Sequence, residues 1–381
     1  MPAPKLIYFV TEDWFFVSHF LSVAKAAQRD GFDVAVHVRI ANPALQARIE
    51  ADGIRVLPSR HERGHFGPLA MVAHVWRFAA LMRAERPAIV HLVSVRLIVL
   101  AGLAAVLAGV PARVQAVTGL GLLGASRSAK ARLARALLGA LLRGPLGGRR
   151  AAYVFENRED PVLLGMDPDG PAVTVVGGAG VDPETERAQP LPSSPPLKLA
   201  VVARMIFSKG VDLAVEAVRQ ARAAGVDVTL TLVGASDPQN PKAIAPEQLE
   251  AWNCEPGIRW AGASSDIRAV WRDHHVVCVP SRGGEGLPRA LLEGAAAGRA
   301  VLTTATPGCA TFVRDGVEGF VVPPDNAGAL AGAIARLAAD PALVARFGAA
   351  ARARIFDGFT QEAVATGFLA VYCRLAESLR R

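Results

Sequence analysis

Short apolar runs alternate with helical segments along the whole chain, and the alternation is interrupted once. Residues 6–10, 89–93, 197–202 and 276–280 are such runs, rich in Val, Leu and Ile. Apolar strands that are separated by helices predict a parallel sheet covered by helices on both faces. The expected fold class is therefore α/β, built from doubly wound, Rossmann-like sheets.

The interruption is residues 189–196, Gln-Pro-Leu-Pro-Ser-Ser-Pro-Pro. Because proline lacks a backbone N–H, this stretch continues neither a helix nor a sheet ladder. The 381 residues also suffice for two domains, since single domains usually have roughly 100–200 residues. The sequence predicts a first Rossmann-like domain over residues 1–188, a linker over 189–196 and a second Rossmann-like domain over 197–360.

The charge of the chain bears on its partners. The net charge is +8, and aromatic residues make up 6% of the sequence. A basic chain suits a nucleotide, an anionic lipid or a nucleic acid, although a solvated basic surface would carry the same charge. Single-stranded nucleic acid is bound on aromatic stacking platforms, so we expect no nucleic acid partner.

Cysteine usage and apolar segments bear on the compartment. The four cysteines form no CxxC pair, which predicts a reducing compartment without a disulfide framework. The most membrane-like run, residues 97–110, is shorter than the roughly 20 residues that span a bilayer. Acidic residues follow the N-terminal strand at once, unlike in a secretory signal. We expect a cytoplasmic protein, soluble or peripheral rather than integral.

The sharpest motif is residues 280–295, Pro-Ser-Arg-Gly-Gly-Glu-Gly-Leu-Pro-Arg-Ala-Leu-Leu-Glu-Gly-Ala. A strand that leads through glycines into a helix exposes backbone N–H groups to phosphate or sugar oxygens. Glu285 lies in the turn and Glu293 about two helical turns further on, so both could accept hydrogen bonds from hydroxyls. The alternative is a tight turn with Glu293 as a surface acid. Burying Glu293 unpaired would be costly, which favours a functional role.

Two cations follow the first strand of the predicted second domain. Arg204 and Lys209 lie in the loop after residues 197–202. Cations at a strand end can neutralise a diphosphate as it leaves. Two ordinary surface cations would give the same pattern, so the functional interpretation depends on Glu285 and Glu293, which are expected at the same edge of the sheet.

Together these motifs resemble those of the retaining glycosyltransferases of family 4, which have the GT-B fold. Residues 12–19 are also similar to a bacterial subgroup that builds capsule, O-antigen or exopolysaccharide repeats. The resemblance covers nearly the whole chain and is more specific in the second domain. The motifs that carry it are Arg204…Lys209-Gly210, Glu285…Glu293, Pro307-Gly308-Cys309, Val233-Gly234…Asn240-Pro241 and Trp260…Asp266-Ile267.

The resemblance implies a role for each of these residues. Arg204 and Lys209 would bind the diphosphate of the donor. Glu293 would hold the ribose hydroxyls and Glu285 the hydroxyls of the donor sugar, with Arg204, Lys209 and Glu285 as the catalytic residues. The loop around the sugar would be shaped by three further residues, Gly286, Leu287 and Pro288.

The resemblance also implies a mechanism. The anomeric configuration would be retained, and the leaving phosphate would take the proton of the acceptor. No metal and no other cofactor would be required, and the sequence contains no Asp-x-Asp motif. UDP is the expected nucleotide. The first domain would bind the acceptor, the two sheets would face a central cleft, and the last helix, residues 361–381, would pack back on the first domain.

One stretch departs from the family pattern. Many members carry a histidine near the donor sugar at the end of a first-domain strand, but the matching stretch here is Val117-Thr118-Gly119-Leu120-Gly121. Gly119 and Gly121 would then let the nucleotide sugar come close. His19 or His91 could replace the missing histidine, although His91 is equally well explained as a core residue.

Residues 119–124 also match GxGxxG, the dinucleotide fingerprint, and this match supports a competing function. A nicotinamide-dependent oxidoreductase would need an acid about 20 residues further on, whereas the first acid is Glu156. A UDP-sugar epimerase of the same fold is a second competing function. A catalytically silent sugar-nucleotide binding protein is a third, which the presence of Arg204, Lys209, Glu285 and Glu293 disfavours.

A basic helical segment suggests a membrane partner. Its cations are Arg127, Lys130, Arg132, Arg135 and Arg143. A core helix with a solvated basic face would show the same pattern, but cations near an anionic membrane add binding free energy. We expect a peripheral protein on the inner face of the cell membrane, where it would glycosylate a polyprenyl-diphosphate-linked or saccharide acceptor in cell-surface polysaccharide biosynthesis.

Overall fold

The computed structural model describes residues 3–59, 67–126, 128–238 and 240–380. The chain forms two compact units. The first contains Met1–Gly180 and Gln361–Arg381, and the second contains Val181–Thr360. Each unit has its own parallel sheet and its own apolar core.

Strands and helices alternate through the first unit. The strands are β1 (Lys5–Glu12), β2 (Asp33–Arg39), β3 (Arg55–Pro58), β4 (Ile89–Val93), β5 (Ala112–Val117), β6 (Ala151–Phe155) and β7 (Val173–Val175). The helices are α1 (Asp13–His19), α2 (Leu21–Arg29), α3 (Pro43–Ala51), α4 (Pro68–Glu85), α5 (Val95–Leu107), α6 (Leu122–Ala125), α7 (Ala129–Arg143) and α8 (Glu159–Leu163). The sheet order is β3-β2-β1-β4-β5-β6-β7, with parallel pairing throughout.

The second unit repeats this plan with six strands. They are β8 (Leu197–Val202), β9 (Val228–Val233), β10 (Ile258–Trp260), β11 (Val276–Val279), β12 (Ala300–Thr304) and β13 (Gly319–Val322). The helices are α9 (Val211–Ala223), α10 (Pro246–Asn253), α11 (Ile267–Asp273), α12 (Arg289–Ala296), α13 (Pro307–Phe312), α14 (Ala327–Ala339) and α15 (Pro341–Ile355). The order β10-β9-β8-β11-β12-β13 is again wholly parallel.

The last helix, α16 (Gln361–Arg380), belongs to the first unit. Its buried face, which includes Phe368 and Tyr372, joins the same apolar core as Tyr8 and Phe20. The hydroxyl of Tyr372 is hydrogen-bonded to the hydroxyl of Tyr8 at 2.9 Å and to Nδ1 of His91 at 2.6 Å. Apolar burial and these two polar contacts therefore tie the end of the chain to β1 and β4.

The boundary between the units differs from the predicted one. Residues 181–196 lie with the second unit rather than as a first-domain end and a free linker. Arg299 is fully buried and donates to the carbonyl oxygens of Gln189 and Pro190, and a hydrogen bond joins His275 Nε2 to the carbonyl oxygen of Pro192 at 3.0 Å. Because backbone carbonyls meet buried donors here, the proline-rich segment is held on the second unit. These donors are distant in sequence, so local patterns do not reveal them.

In both sheets the strand order reverses direction at one place. In the second sheet this place lies between β8 and β11, which pair in the register Val276↔Leu199 and Val277↔Ala200. The loops after these two strands leave the same edge and diverge to helices on opposite faces, which creates a crevice where ligands bind in open α/β sheets. The loops are residues 203–210 and 280–288, which contain the two motifs found in the sequence.

Among the described residues, no single helix has both the length and the apolarity to cross a membrane. One sharply bent pair, α14 with α15, meets the criterion by length and composition only, and α5 is a shorter apolar helix.

The packing of α16 generates a stability prediction. Phe368 is 3% exposed, and its ring lies 5.2 Å from that of His91 and 6.0 Å from that of Phe20. We expect Phe368→Ala to lower the free energy of unfolding by about 3–5 kcal/mol, since it leaves a cavity in the core. Thr366→Ala, at an exposed position of the same helix, is the control. Urea denaturation measures the free energy of unfolding of both variants. If Phe368→Ala were as stable as Thr366→Ala, this packing would be contradicted.

Candidate active site

The β8 loop and the β11 loop touch at a position that requires glycine. Gly210 has φ +68°, and a Cβ atom there would lie 1.8 Å from the carbonyl oxygen of Pro280. The backbone N–H of Arg282 also donates to the carbonyl oxygen of Ser208, at 2.9 Å. The two motifs, about 70 residues apart in sequence, are therefore in direct backbone contact.

The first turn of α13, which follows β12, packs against the same place. At Gly308 a Cβ atom would lie 1.5 Å from the carbonyl oxygen of Gly286 and 3.1 Å from that of Glu285. Any side chain at position 308 would displace the loop that carries Glu285. This gives a physical reason for the Pro307-Gly308-Cys309 motif.

The centre of the site is an ion pair between two predicted ligands of the donor. Lys209 Nζ donates to one carboxylate oxygen of Glu285. Ser281 Oγ donates to the other oxygen at 2.9 Å. The side chains of Lys209 and Glu285 are 23% and 21% exposed, respectively. The pair is therefore shielded by the loops but remains accessible from outside.

Arg204 lies in the same loop as Lys209 and points to another neighbour. Its Nη1 donates to Asp237 Oδ2 at 2.9 Å, and its side chain is half exposed. Asp237 follows β9, which pairs with β8 on the side away from β11. A guanidinium has five N–H donors, so this contact leaves Arg204 able to bind a phosphate oxygen.

Arg282 holds the loops together, although no role was predicted for it. Its guanidinium donates to both carboxylate oxygens of Asp212, at 2.7 and 3.0 Å, and to the carbonyl oxygen of Phe207. It also pairs with Asp325, which follows β13. The Asp212 carboxylate raises the pKa of Arg282. Arg282 lies inside the predicted motif, but no spacing pointed to its two distant acids.

Glu293 lies on α12 and has a partner within its own helix. Arg289 Nε donates to Glu293 Oε1 at 2.7 Å, and the side chain of Glu293 is 12% exposed. Burial raises the pKa of the Glu293 carboxyl, while Arg289 opposes that shift. The argument that a buried Glu293 would be unpaired is therefore wrong, because Arg289 pairs with it. The structure gives Glu285 and Glu293 separate partners.

The three residues after Glu285 anchor its loop. Leu287 is 4% exposed and packs in an apolar cluster with Leu291 and Phe312. Pro288 is the N-cap residue of α12, and the carbonyl oxygen of Gly286 faces Gly308. These contacts fit the expected role in shaping the loop, which remains a prediction.

The glycines of the first unit lie at the end of β5. Gly119 has φ +111° and Gly121 φ +57°, and Leu120 between them is buried. The helix that follows, α6, has only four residues, and β5 is not the strand at which the sheet order reverses. A dinucleotide fingerprint places its glycines before a full helix at that reversal. The geometry therefore does not favour an oxidoreductase.

The two candidate histidines have different surroundings. His91 is fully buried, is hydrogen-bonded to Tyr372, and has its pKa lowered to about 3 by burial. This makes His91 a core residue. His19 stacks on Phe15 with the ring centroids 4.0 Å apart. It lines a small cavity of the first unit together with Thr118 and Glu156.

The basic face predicted on α7 is partly wrong. Arg135 is buried and donates to the backbone carbonyl oxygens of Leu123 and Ser126. Arg143 Nε donates to the carbonyl oxygen of Gly139 at 3.1 Å, and Arg127 lies outside the described residues. Lys130, Arg132 and Arg143 are exposed as expected. Arg135 is buried because backbone carbonyls nearby accept its N–H groups, which helical periodicity cannot reveal.

The contact between the two loops generates a prediction. We expect Gly210→Ala to lower the free energy of unfolding by more than about 2 kcal/mol, because it adds a backbone clash to the strain of a positive φ. Gly225→Ala is the matched control, since Gly225 has φ +85° with nothing within 4 Å of its Cβ position. It should lose only about 1 kcal/mol. Thermal unfolding compares them, and equal losses would contradict the close approach.

Comparisons with known proteins agree with this geometry. Residues 5–145 match the family model "Glycosyl transferase 4-like", and residues 196–340 match "Glycosyl transferases group 1". The two matches together cover about three quarters of the chain. The predicted family is therefore confirmed in both halves.

Two of the curated relatives are named for the biosynthesis of bacterial polysaccharides. WcaL of Salmonella typhimurium, assigned to colanic acid biosynthesis as a glycosyltransferase, is 31% identical over 53% of this chain and 50% of its own length. The amylovoran biosynthesis glycosyltransferase AmsK of Erwinia amylovora is 30% identical over 49% of this chain and 45% of its own length. The chain spans about half of the length of these relatives.

Solved structures share the whole fold. A glycosyltransferase from Rickettsia africae has a TM-score of 0.74 at 17% identity, and Anabaena HepE, crystallised with UDP and glucose, has a TM-score of 0.73 at 17% identity. Each match covers 99% of both chains. Two parallel α/β units with these neighbours confirm the GT-B fold, and the chain belongs to the family 4-like, group 1 glycosyltransferases.

Proposed function

We propose that this chain is a retaining glycosyltransferase that moves a sugar from a UDP-sugar to an acceptor in cell-surface polysaccharide biosynthesis. The acceptor would be a saccharide or a polyprenyl-diphosphate-linked saccharide. The first unit would bind the acceptor, and the second unit would bind the donor.

The contact between Lys209 and Glu285 carries this proposal. In a sugar nucleotide the anomeric carbon is bonded directly to the second phosphate, so the phosphate charge and the sugar hydroxyls are neighbours. A site for such a donor needs a cation and a hydrogen-bond acceptor side by side. Lys209 and Glu285 meet that need, because they touch at the strand reversal where ligands bind in this fold.

The other predicted ligands extend the site. Arg204 would add a second cation to the diphosphate, since a guanidinium binds phosphate oxygens bidentately. Glu293 would accept the ribose hydroxyls once these displace part of its contact with Arg289. Arg282 is neutralised by Asp212 and Asp325, so we propose that it positions the loops rather than binding phosphate itself.

The comparisons support the donor and the pathway class. HepE was crystallised with UDP and with UDP-glucose, and the names of the curated relatives refer to colanic acid and amylovoran biosynthesis. UDP-sugars and exopolysaccharide acceptors are therefore the first substrates to test.

In the proposed reaction, the bonds, electrons and proton are all accounted for without a metal. The bond between the anomeric carbon and the phosphate oxygen breaks, and its electrons pass to the diphosphate. The acceptor hydroxyl bonds to the anomeric carbon from the same side and gives its proton to the leaving phosphate. Lys209 and Arg204 would stabilise the charge that develops on the diphosphate, which is the role a metal would otherwise fill.

The first prediction concerns nucleotide binding. Calorimetry with UDP, GDP, ADP and NADH in the presence of EDTA should show preferential binding of UDP. Lys209→Ala should weaken UDP binding by about tenfold or more, since a charge-assisted contact contributes roughly 1.5–3 kcal/mol, and Glu293→Ala should weaken it as well. The exposed Arg346→Ala, on α15, is the control. NADH binding without any nucleoside diphosphate response, or unchanged UDP affinity in both variants, would overturn the site assignment.

The second prediction separates the roles of the paired residues. Glu285→Gln should leave UDP affinity equal or higher, because Lys209 loses a competing carboxylate. The same variant should lose most sugar transfer, since a neutral amide holds the sugar hydroxyls more weakly than a carboxylate. UDP calorimetry and turnover of UDP-sugar with an acceptor saccharide measure the two effects. Weaker UDP binding with normal turnover would refute the division of roles, and donor turnover without acceptor would favour an epimerase.

A further inference from the structure

The segment that follows β1 has no part in the proposed donor site. Residues 12–19 form the end of β1 and helix α1. The order of the first sheet reverses between β1 and β4. Ligands of open α/β sheets bind beyond the carboxyl ends of the strands at such a reversal, so α1 begins where the first unit is expected to hold a ligand.

The start of α1 is fixed by a buried carboxylate. Asp13 is fully buried. One of its oxygens accepts from the N–H of Trp14 at 2.7 Å, and the other accepts from the N–H groups of Ala41 and Asn42 at 2.7 and 2.8 Å. Phe16 is buried in the core of the first unit. These contacts set the orientation of the outward side chains of α1 before any ligand binds.

The outward side of α1 is aromatic. Trp14 is 41% exposed, and its ring centroid lies 5.5 Å from that of Phe15. The Phe15 ring stacks in turn on the ring of His19, with the centroids 4.0 Å apart. We call Trp14, Phe15 and His19 the aromatic surface. Trp14 is the most accessible of the three, because Phe15 and His19 are half-buried.

Polar groups lie at one end of the aromatic surface. His19 lines the small cavity that is also lined by Thr118 and Glu156, which directly follow β5 and β6. Glu156 is 8% exposed. A hydroxyl group of a ligand could donate to its carboxylate, whereas a phosphate oxygen could not, because both are acceptors. The cavity therefore suits a ligand with hydroxyl groups.

A saccharide has the chemistry that this combination recognises. One side of a pyranose ring presents C–H groups, which pack on the negative face of an aromatic ring. The hydroxyls at the edge of the sugar ring need hydrogen-bonding partners. Aromatic side chains with a few polar groups that fix the orientation are typical of small-molecule sites.

We propose that the aromatic surface binds the saccharide of the acceptor, with one sugar ring stacked on Trp14 and a hydroxyl group bound by His19 and Glu156. This inference rests on the proposed function, because it assigns the donor to the second unit and leaves the acceptor as the other substrate. It adds the face of the sugar that is recognised and the residues that recognise it.

The test is saturation-transfer difference NMR of the full chain with the methyl glycosides of glucose, galactose, mannose and N-acetylglucosamine. We expect transfer from aromatic protons to the C–H protons on one side of the sugar ring for at least one of these glycosides. Trp14→Ala should lower the affinity by about five- to tenfold, and Trp14→Phe should keep most of it, since a smaller aromatic face remains.

The matched control is Trp76→Ala, which removes another exposed tryptophan of the first unit, on α4, and should bind like the wild type. Glu156→Gln tests the polar end and should weaken binding, because a neutral amide accepts hydrogen bonds less strongly than a carboxylate. Circular dichroism and thermal unfolding show whether each variant is folded.

Several results would overturn the proposal. They are absence of transfer to every glycoside, equal affinity of Trp14→Ala and the wild type, an equal loss in Trp76→Ala, and unchanged affinity of Glu156→Gln. Displacement of the glycoside by UDP, or weaker UDP binding by Trp14→Ala, would also overturn it, because the aromatic surface would then belong to the donor.

The two proposals fail separately. Calorimetry without any UDP binding, together with glycoside binding that depends on Trp14, would contradict the proposed donor site alone. Normal UDP binding without any glycoside binding would contradict the acceptor site alone.

Discussion

The pairing of β8 with β11 is the contact on which the candidate site depends. It brings together two loops from distant parts of the second unit, and the absence of a side chain at Gly210 lets their backbones meet at the carbonyl of Pro280. Gly308 likewise lets the first turn of α13 approach the carbonyl of Gly286 in the β11 loop. Lys209 and Glu285 become neighbours because the two loops and the start of α13 are packed this closely, and a methyl group at either glycine would clash with a backbone carbonyl oxygen.

The charged side chains of the site have two roles. Some of them join the loops, and others remain available to a ligand. Arg282 is held between Asp212 and Asp325, so its charge is used in joining loops. Lys209 and Glu285 neutralise each other in a contact that a ligand can replace with groups of matching charge. Glu293 is buried with Arg289 as its partner, and burial raises the pKa of its carboxyl. An enzyme of this kind would bind its donor by exchanging internal partners rather than by filling empty positions.

In the first unit, a residue that the sequence offered for the site is buried in the core instead. His91, a candidate for contact with the sugar, is instead part of a buried chain with Tyr372 and Tyr8 that ties α16 to the sheet. The outward sides of α4 and α7 carry exposed apolar residues, although the inward sides of both helices already pack in the core.

The alternation of apolar strands with helices, the α/β class and the motif residues followed from local sequence, because apolar periodicity and glycine-rich turns act over a few residues. The contact of Lys209 with Glu285, the clamp of Arg282 and the burial of Arg299 against the proline-rich segment did not, because each joins elements far apart in sequence. Likewise, the pattern of α7 predicted an exposed Arg135, whereas nearby carbonyls allow its burial. Sequence alone pointed to the residues that we propose as ligands of a sugar nucleotide, and the order of the strands in the sheet decided which of them meet.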